Sequence, residues 1–112
     1  LPLDKQGAEL GRYVEPAVVV LASLSDGPKH GYAIMADVEE FSGLAMGPGT
    51  LYAVLARLEQ AGLVVPLPAE DRRRPYRLTA AGSAALAERL DEMARFVRVG
   101  RGRLRKPDRG TA

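Results

Sequence analysis

Between Gly47 and Gly62 the chain reads as one short helix, because both ends are punctuated. Gly47-Pro48 opens it, with proline supplying a preset φ where no backbone donor is needed, and Ala61-Gly62 stops it. About 13 residues at 1.5 Å each make a rod of roughly 20 Å. At 100° per residue Leu51, Val54, Leu55 and Leu58 fall on one stripe, the spacing of a helix packed on a core. The opposite face is small and polar: Gly49, Ala53, Ala56 and Gln60, flanked by Thr50, Tyr52 and Arg57. Small residues let a helix backbone come near a partner surface, while hydroxyls and a guanidinium at its margins can bond phosphates or base edges. The pattern suits insertion into a DNA major groove. An ordinary solvent-exposed amphipathic helix has the same pattern.

Charge supports a polyanion partner. The net charge of +2 divides unevenly: residues 1–70 carry 4 basic and 9 acidic side chains, residues 71–112 carry 12 and 5. The basic foci are Arg72-Arg73-Arg74 with Arg77, and the run from Arg95 to Arg109. Clustered arginine is the footprint of a nucleic-acid partner, although it also occurs on plain solvated surfaces. With 112 residues and no cysteine, the chain reads as one domain without disulfides or thiolate metal sites. No apolar run reaches a membrane span, and the expectation is a soluble, cytoplasmic protein.

Residues 1–12 lack periodicity and read as an N-terminal arm. From about Tyr13 to Ser25 the chain is apolar nearly all round; Pro16 suits a first helical turn, and helix is favoured over a buried strand by length and by Ala and Leu. Ser25 to Gly31 is dense in turn formers. A second helix is predicted over Gly31–Phe41, with Ile34, Val38 and Phe41 on one face, Met35 beside them, and Leu44-Ala45-Met46 as a short strand after it. Leu63–Leu67 and Pro75–Leu78 read as a β-hairpin around a long polar tip, each proline belonging at an edge or strand end. Helix, turn, helix and basic hairpin in that order make a winged helix-turn-helix over 13–78, mainly α with a small β-hairpin. The arginine-rich tip can reach phosphates or a narrow minor groove.

Thr79 is a plausible N-cap for a long last helix over 79–105, followed by a basic tail over 106–112. Leu86, Leu90, Met93 and Val97 recur every four then three residues, with Leu104 in the same frame. Such a seam asks for a partner helix, either the domain's own first helix or a second chain. The second is favoured, because a small domain cannot cover both apolar surfaces itself. Phe96 and Val99 sit outside the strict seam and widen the interface or line a cavity beside it. Two glycines and a proline after Gly100 weaken helix there and predict a frayed end.

Gly27-Pro28-Lys29-His30-Gly31-Tyr32, Pro48-Gly49-Thr50-Leu51-Tyr52, Arg57 to Val64, and Tyr76 to Gly82 together resemble the PadR family of transcriptional regulators, in order and in spacing. The resemblance spans about residues 17–90 and implies a winged-helix repressor of the compact subfamily with a single C-terminal helix. It implies that Pro48 to Gln60 is the recognition helix, with Thr50 and Tyr52 as its DNA contacts; Gly49 and Arg57, on the same outer side of the helix, are expected to join them. Arg72, Arg73 and Arg74 would occupy the wing tip. Tyr32 would touch a phosphate or simply pack. Dimerisation through the first and last helices would put Val18 and Leu21 at the interface with Leu86, Leu90, Met93 and Val97. Release by a small aromatic compound would call on Met93, Phe96 and Val97 as a pocket. Ala53 departs from the proline common at that place in the family, and no Trp is present for the aromatic sandwich known in some compact members.

A second function class stays open: a winged-helix protein–protein interaction module without DNA readout. His30, the only histidine, reads as a turn residue bonding nearby backbone rather than as a pH sensor. An enzyme is disfavoured, since no nucleophile, metal-ligand or phosphate-loop constellation occurs, and neither cofactor nor metal is expected.

Overall fold

Helix α1, Pro16–Leu24, begins only at Pro16, because Glu15 at its N-cap is extended. The computed structural model describes residues 10–11 and 15–106, so the arm over 1–12 and the tail over 106–112 lie almost wholly outside the described residues, as does Tyr13. Val19, Val20, Leu21 and Leu24 of α1 are buried, and Ala17, Val18 and Ala22 pack beside them. The buried Ser23 hydroxyl donates to Asp37 Oδ2 at 2.7 Å. Lys29 Nζ stands 3.9 Å from the same carboxylate. It also meets Asp26 and the Ser23 carbonyl. This network ties the turn after α1 to the next helix, and the hydrogen bond from Lys29 holds the Asp26 carboxyl below its usual range.

The turn does not remain a turn. Lys29–His30 forms β1, which joins a three-stranded antiparallel sheet in the order β1-β3-β2, with β2 at Val64–Pro66 and β3 at Pro75–Leu78. Lys29 lies opposite Tyr76 and His30 opposite Pro75, while Val64, Val65 and Pro66 lie opposite Leu78, Arg77 and Tyr76. The strand expected at Leu44–Met46 is absent. Its side chains do alternate, with Leu44 and Met46 buried and Ala45 exposed, but a strand needs a ladder, and β1 occupies the free edge of β3 instead.

Helix α2, Gly31–Ser42, ends at Gly43 in the left-handed region with φ 75°, the usual stop for a helix. Ile34 and Val38 are fully buried, but Phe41 is exposed, contrary to its expected place on their face. The chain reverses at Gly43, and Leu44 and Met46 supply the apolar contacts beyond the last turn. Helix α3, Pro48–Gln60, has the bounds read from the sequence, and Leu51, Val54, Leu55 and Leu58 are its buried residues.

Helix α4, Ala80–Arg105, is 26 residues long, roughly 39 Å at 1.5 Å per residue. It passes through Gly100 and Gly102 without fraying. Arg103 and Arg105 in its last turn favour this, being good helix formers placed where cations complement the helix dipole. Thr79 caps its start: the hydroxyl accepts from Gly82 N at 2.9 Å and donates to Gly62 O at 2.7 Å. Only Gly82 and Leu86 are buried on α4. Its distal half stands out from the core, with Phe96 79% and Leu104 87% exposed. Among the described residues, no helix is long and apolar enough to cross a membrane.

Candidate nucleic-acid interface

The outer flank of α3 is open. Gly49, Thr50, Tyr52, Ala53, Ala56, Arg57 and Gln60 are all exposed, while the leucine and valine stripe is sealed in the core. Gly47 offers no side-chain cap and Pro48 has no N–H, so the first turn presents backbone donors to solvent. Such donors, with the helix dipole behind them, suit a phosphate oxygen.

Beside that flank lies a cleft of about 410 Å³ walled by His30, Gly31, Tyr32, Tyr52, Arg72, Arg73 and Arg74. Five of the eight residues expected to contact DNA therefore converge: Tyr32 at the start of α2, Tyr52 on α3, and the three arginines of the wing. Tyr32 is 74% exposed, so it projects rather than packs. Gly49, Thr50 and Arg57 are exposed along the rod outside the cleft lining.

The wing tip is more ordered than its composition suggests. Glu70 and Arg73 exchange both backbone hydrogen bonds, at 2.7 and 2.8 Å, around Asp71 and Arg72. Those two residues have φ of 48° and 68°. A two-residue hairpin turn of this kind normally takes Asn-Gly or Asp-Gly, and here arginine stands where glycine is favoured. The result is a tight tip with Arg72, Arg73 and Arg74 all exposed.

Gly31 was not expected among the site residues. A Cβ at this position would stand 2.2 Å from the Tyr52 hydroxyl oxygen and 2.8 Å from its ring carbon, so the phenol lies directly over the Gly31 backbone. The sequence carries no signal of this beyond the pairing of glycine with Tyr32. Tyr76 lies nearby on β3; burial raises its hydroxyl pKa, assisted by Glu59 and Tyr52 and opposed by Arg74. Gly31→Ala should therefore push Tyr52 off its seat rather than unfold the domain. The expected outcome is DNA binding weakened about tenfold, as for loss of one well-placed contact of 1–3 kcal/mol, with little change in melting temperature. Comparing titrations of the two proteins on duplex DNA checks it.

The residues expected at a dimer interface divide. Leu21 and Leu86 are closed off within the chain's own core, and Val18 is half-buried against it. Leu90 and Val97 are exposed and Met93 is half-buried. Met93, Phe96 and Val97 lie together on the outer half of α4, away from the cleft at the wing.

Residues 20–88 match the transcriptional regulator PadR-like family. The chain is 51% identical over 79 residues to an uncharacterized 37.1 kDa protein in transposon TN4556 of Streptomyces fradiae, a match covering 70% of this chain and 23% of that protein. It thus spans less than a quarter of that relative's length. It is 40% identical over 87 residues to transcriptional regulator Rv3488 of Mycobacterium tuberculosis, covering 70% of this chain and 78% of that one. The crystal structure of a PadR family transcriptional regulator from Eggerthella lenta superposes with a TM-score of 0.70 at 27% identity, covering 95% of this chain and 94% of that one.

Proposed function

This chain belongs to the PadR-like family of transcriptional regulators, and from that premise we propose that it acts as a dimeric repressor gripping a pseudo-palindromic operator. Family members are DNA-binding regulators rather than enzymes. The observation that carries the reading is the convergence of Tyr32, Tyr52 and the three wing arginines on one cleft beside the bare flank of α3. In this reading α3 lies in the major groove, Thr50, Tyr52 and Arg57 bond base edges or phosphates, and the wing follows the adjacent backbone. Half-sites lie about 34–36 Å apart, one helical turn, as two-fold symmetry of the protein requires.

Dimerisation rests on the outer half of α4. Leu90, Val97 and Leu104 share an exposed stripe with the half-buried Met93. A second copy covers that stripe, together with the half-buried Val18 face of α1. Met93, Phe96 and Val97 then form an apolar wall for a flat aromatic effector. Such a compound releases DNA only if it favours one dimer arrangement over another.

The double reversal Arg73→Glu with Arg74→Glu tests the DNA reading. Loss of two phosphate contacts and the gain of two repulsions should weaken binding about a hundredfold at moderate salt, measured against DNA from the chain's own upstream region. If binding persists, the chain is better described as a protein-interaction module acting through α4.

A further inference from the structure

We infer that His30 is a positioning residue for the wing: its imidazole, seated at the N-terminus of α2, holds the Arg73 guanidinium at the mouth of the cleft between Tyr32 and Tyr52. The inference rests on the reading of that cleft as the DNA interface, and it assigns a role to His30, which with Gly31 is one of the two residues of its wall not expected to touch DNA.

The wing needs such a tether. β2 ends at Pro66 and β3 begins at Pro75, and neither proline has an N–H to donate. The ladder between β3 and β1 stops at the pair of Pro75 and His30. Beyond it, residues 67–74 are bonded mainly to themselves and to the wing base. Leu67 N donates to Pro75 O at 2.8 Å, the Glu70 and Arg73 backbones exchange two bonds, and Arg74 Nη1 reaches Leu67 O at 3.4 Å. These bonds make the tip one rigid unit without fixing its place against the body. Among the described residues, one side-chain hydrogen bond joins tip to body: Arg73 Nη1 to His30 Nε2 at 3.3 Å, between residues 43 apart in sequence.

The other edge of the ring faces the start of α2. His30 is the N-cap of α2, and its Nδ1 accepts from Ala33 N at 3.4 Å. Ala33 N–H and the guanidinium are both donors, whereas a neutral imidazole has a single lone pair. The ring therefore serves one neighbour at a time, accepting from Arg73 as one tautomer and capping α2 as the other. The cap is made when the proton sits on Nε2, the state the ring keeps once a phosphate takes Arg73. Arg73 is held in place before binding and given up without leaving the ring unsatisfied. A Lys or Arg at this position could not do both, having no lone pair to offer.

His30→Asn separates the two edges. Asn is a preferred N-cap and its Oδ1 takes the place of Nδ1, but it ends short of Arg73. The experiment titrates wild type, H30N, R73A and the double variant with a labelled duplex from upstream of the chain's own coding sequence, over a range of salt, and melts each protein. H30N should melt like wild type and bind about three- to tenfold more weakly, the cost of ordering a long side chain on binding. R73A should bind more weakly and lower the salt slope by about 2 in a dimer, one phosphate contact per copy. H30N should add nothing in the R73A background. His30→Ser, another capping residue too short to reach Arg73, should reproduce H30N. An R73A protein that is weakened beside an H30N protein that is not overturns the positioning role alone. So does an H30N loss of equal size with and without Arg73, or one matched by a fall in melting temperature. An R73A protein that binds like wild type overturns the interface reading and this role with it.

Discussion

Gly82→Ala is expected to destabilise the protein by about 3 kcal/mol or more, at the upper end of what an extra methyl costs in a tightly packed site. A Cβ on Gly82 would lie 2.1 Å from the Leu63 carbonyl oxygen and 2.8 Å from a Leu78 methyl. The first of these is backbone, and it is already engaged, accepting from Thr79 N at 3.0 Å. The carbonyl cannot step aside, and Thr79 bonds Gly62 O and Gly82 N, so moving α4 outward breaks its own cap. Relief requires displacing the helix start, and Leu86 one turn later would leave the core with it. For a domain of this size the corresponding drop in Tm is roughly 12 to 24 °C, read by the loss of helical circular dichroism on heating. Gly100→Ala, with nothing within 4 Å of its Cβ, is the control. It should leave Tm unchanged or raise it, since alanine is the better helix former.

The contrast between those glycines shows what a linear pattern can and cannot disclose. The bounds of α3 follow from Pro48 at one end and Ala61-Gly62 at the other, and its buried face from a stripe that repeats at helical spacing. These are local signals, and local signals are legible. The same holds for Thr79 as the cap of α4. Contacts distant in sequence are not legible in this way. Lys29–His30 reads as turn because two residues carry no period; they become strand only because β3, more than forty residues away, presents a free edge. Phe41 fits the helical stripe of Ile34 and Val38, yet faces out because the chain reverses two residues later at Gly43. The wing tip breaks its own local rule, since Asp71 and Arg72 adopt positive φ where glycine would be the obvious choice. Of the interface residues, Tyr52 and the arginines are suggested by chemistry and position. Gly31 and His30 enter only because the fold sets them against Tyr52 and Arg73.

Raising the salt concentration from 50 to 200 mM is expected to weaken DNA binding by about 10³- to 10⁵-fold, because each neutralised phosphate releases condensed counterions. The groups concerned are Arg57, Arg72, Arg73 and Arg74, all exposed and, among the described residues, without an ion pair inside the chain. Two copies of four make about eight phosphate contacts and a slope of log K against log salt near −7, whereas a single copy would give about −4. The slope thus measures assembly on DNA as well as charge. Arg98, Arg101 and Arg105 are equally exposed but stand on the distal half of α4, outside the cleft lined by the wing arginines. Replacing them with glutamine should leave the slope intact, while replacing Arg72, Arg73 and Arg74 should reduce it by about 5 in a dimer. A slope shallower than about −2 in the unmodified protein would mean that the wing arginines face solvent even on DNA, and the grip proposed for them would have to be abandoned.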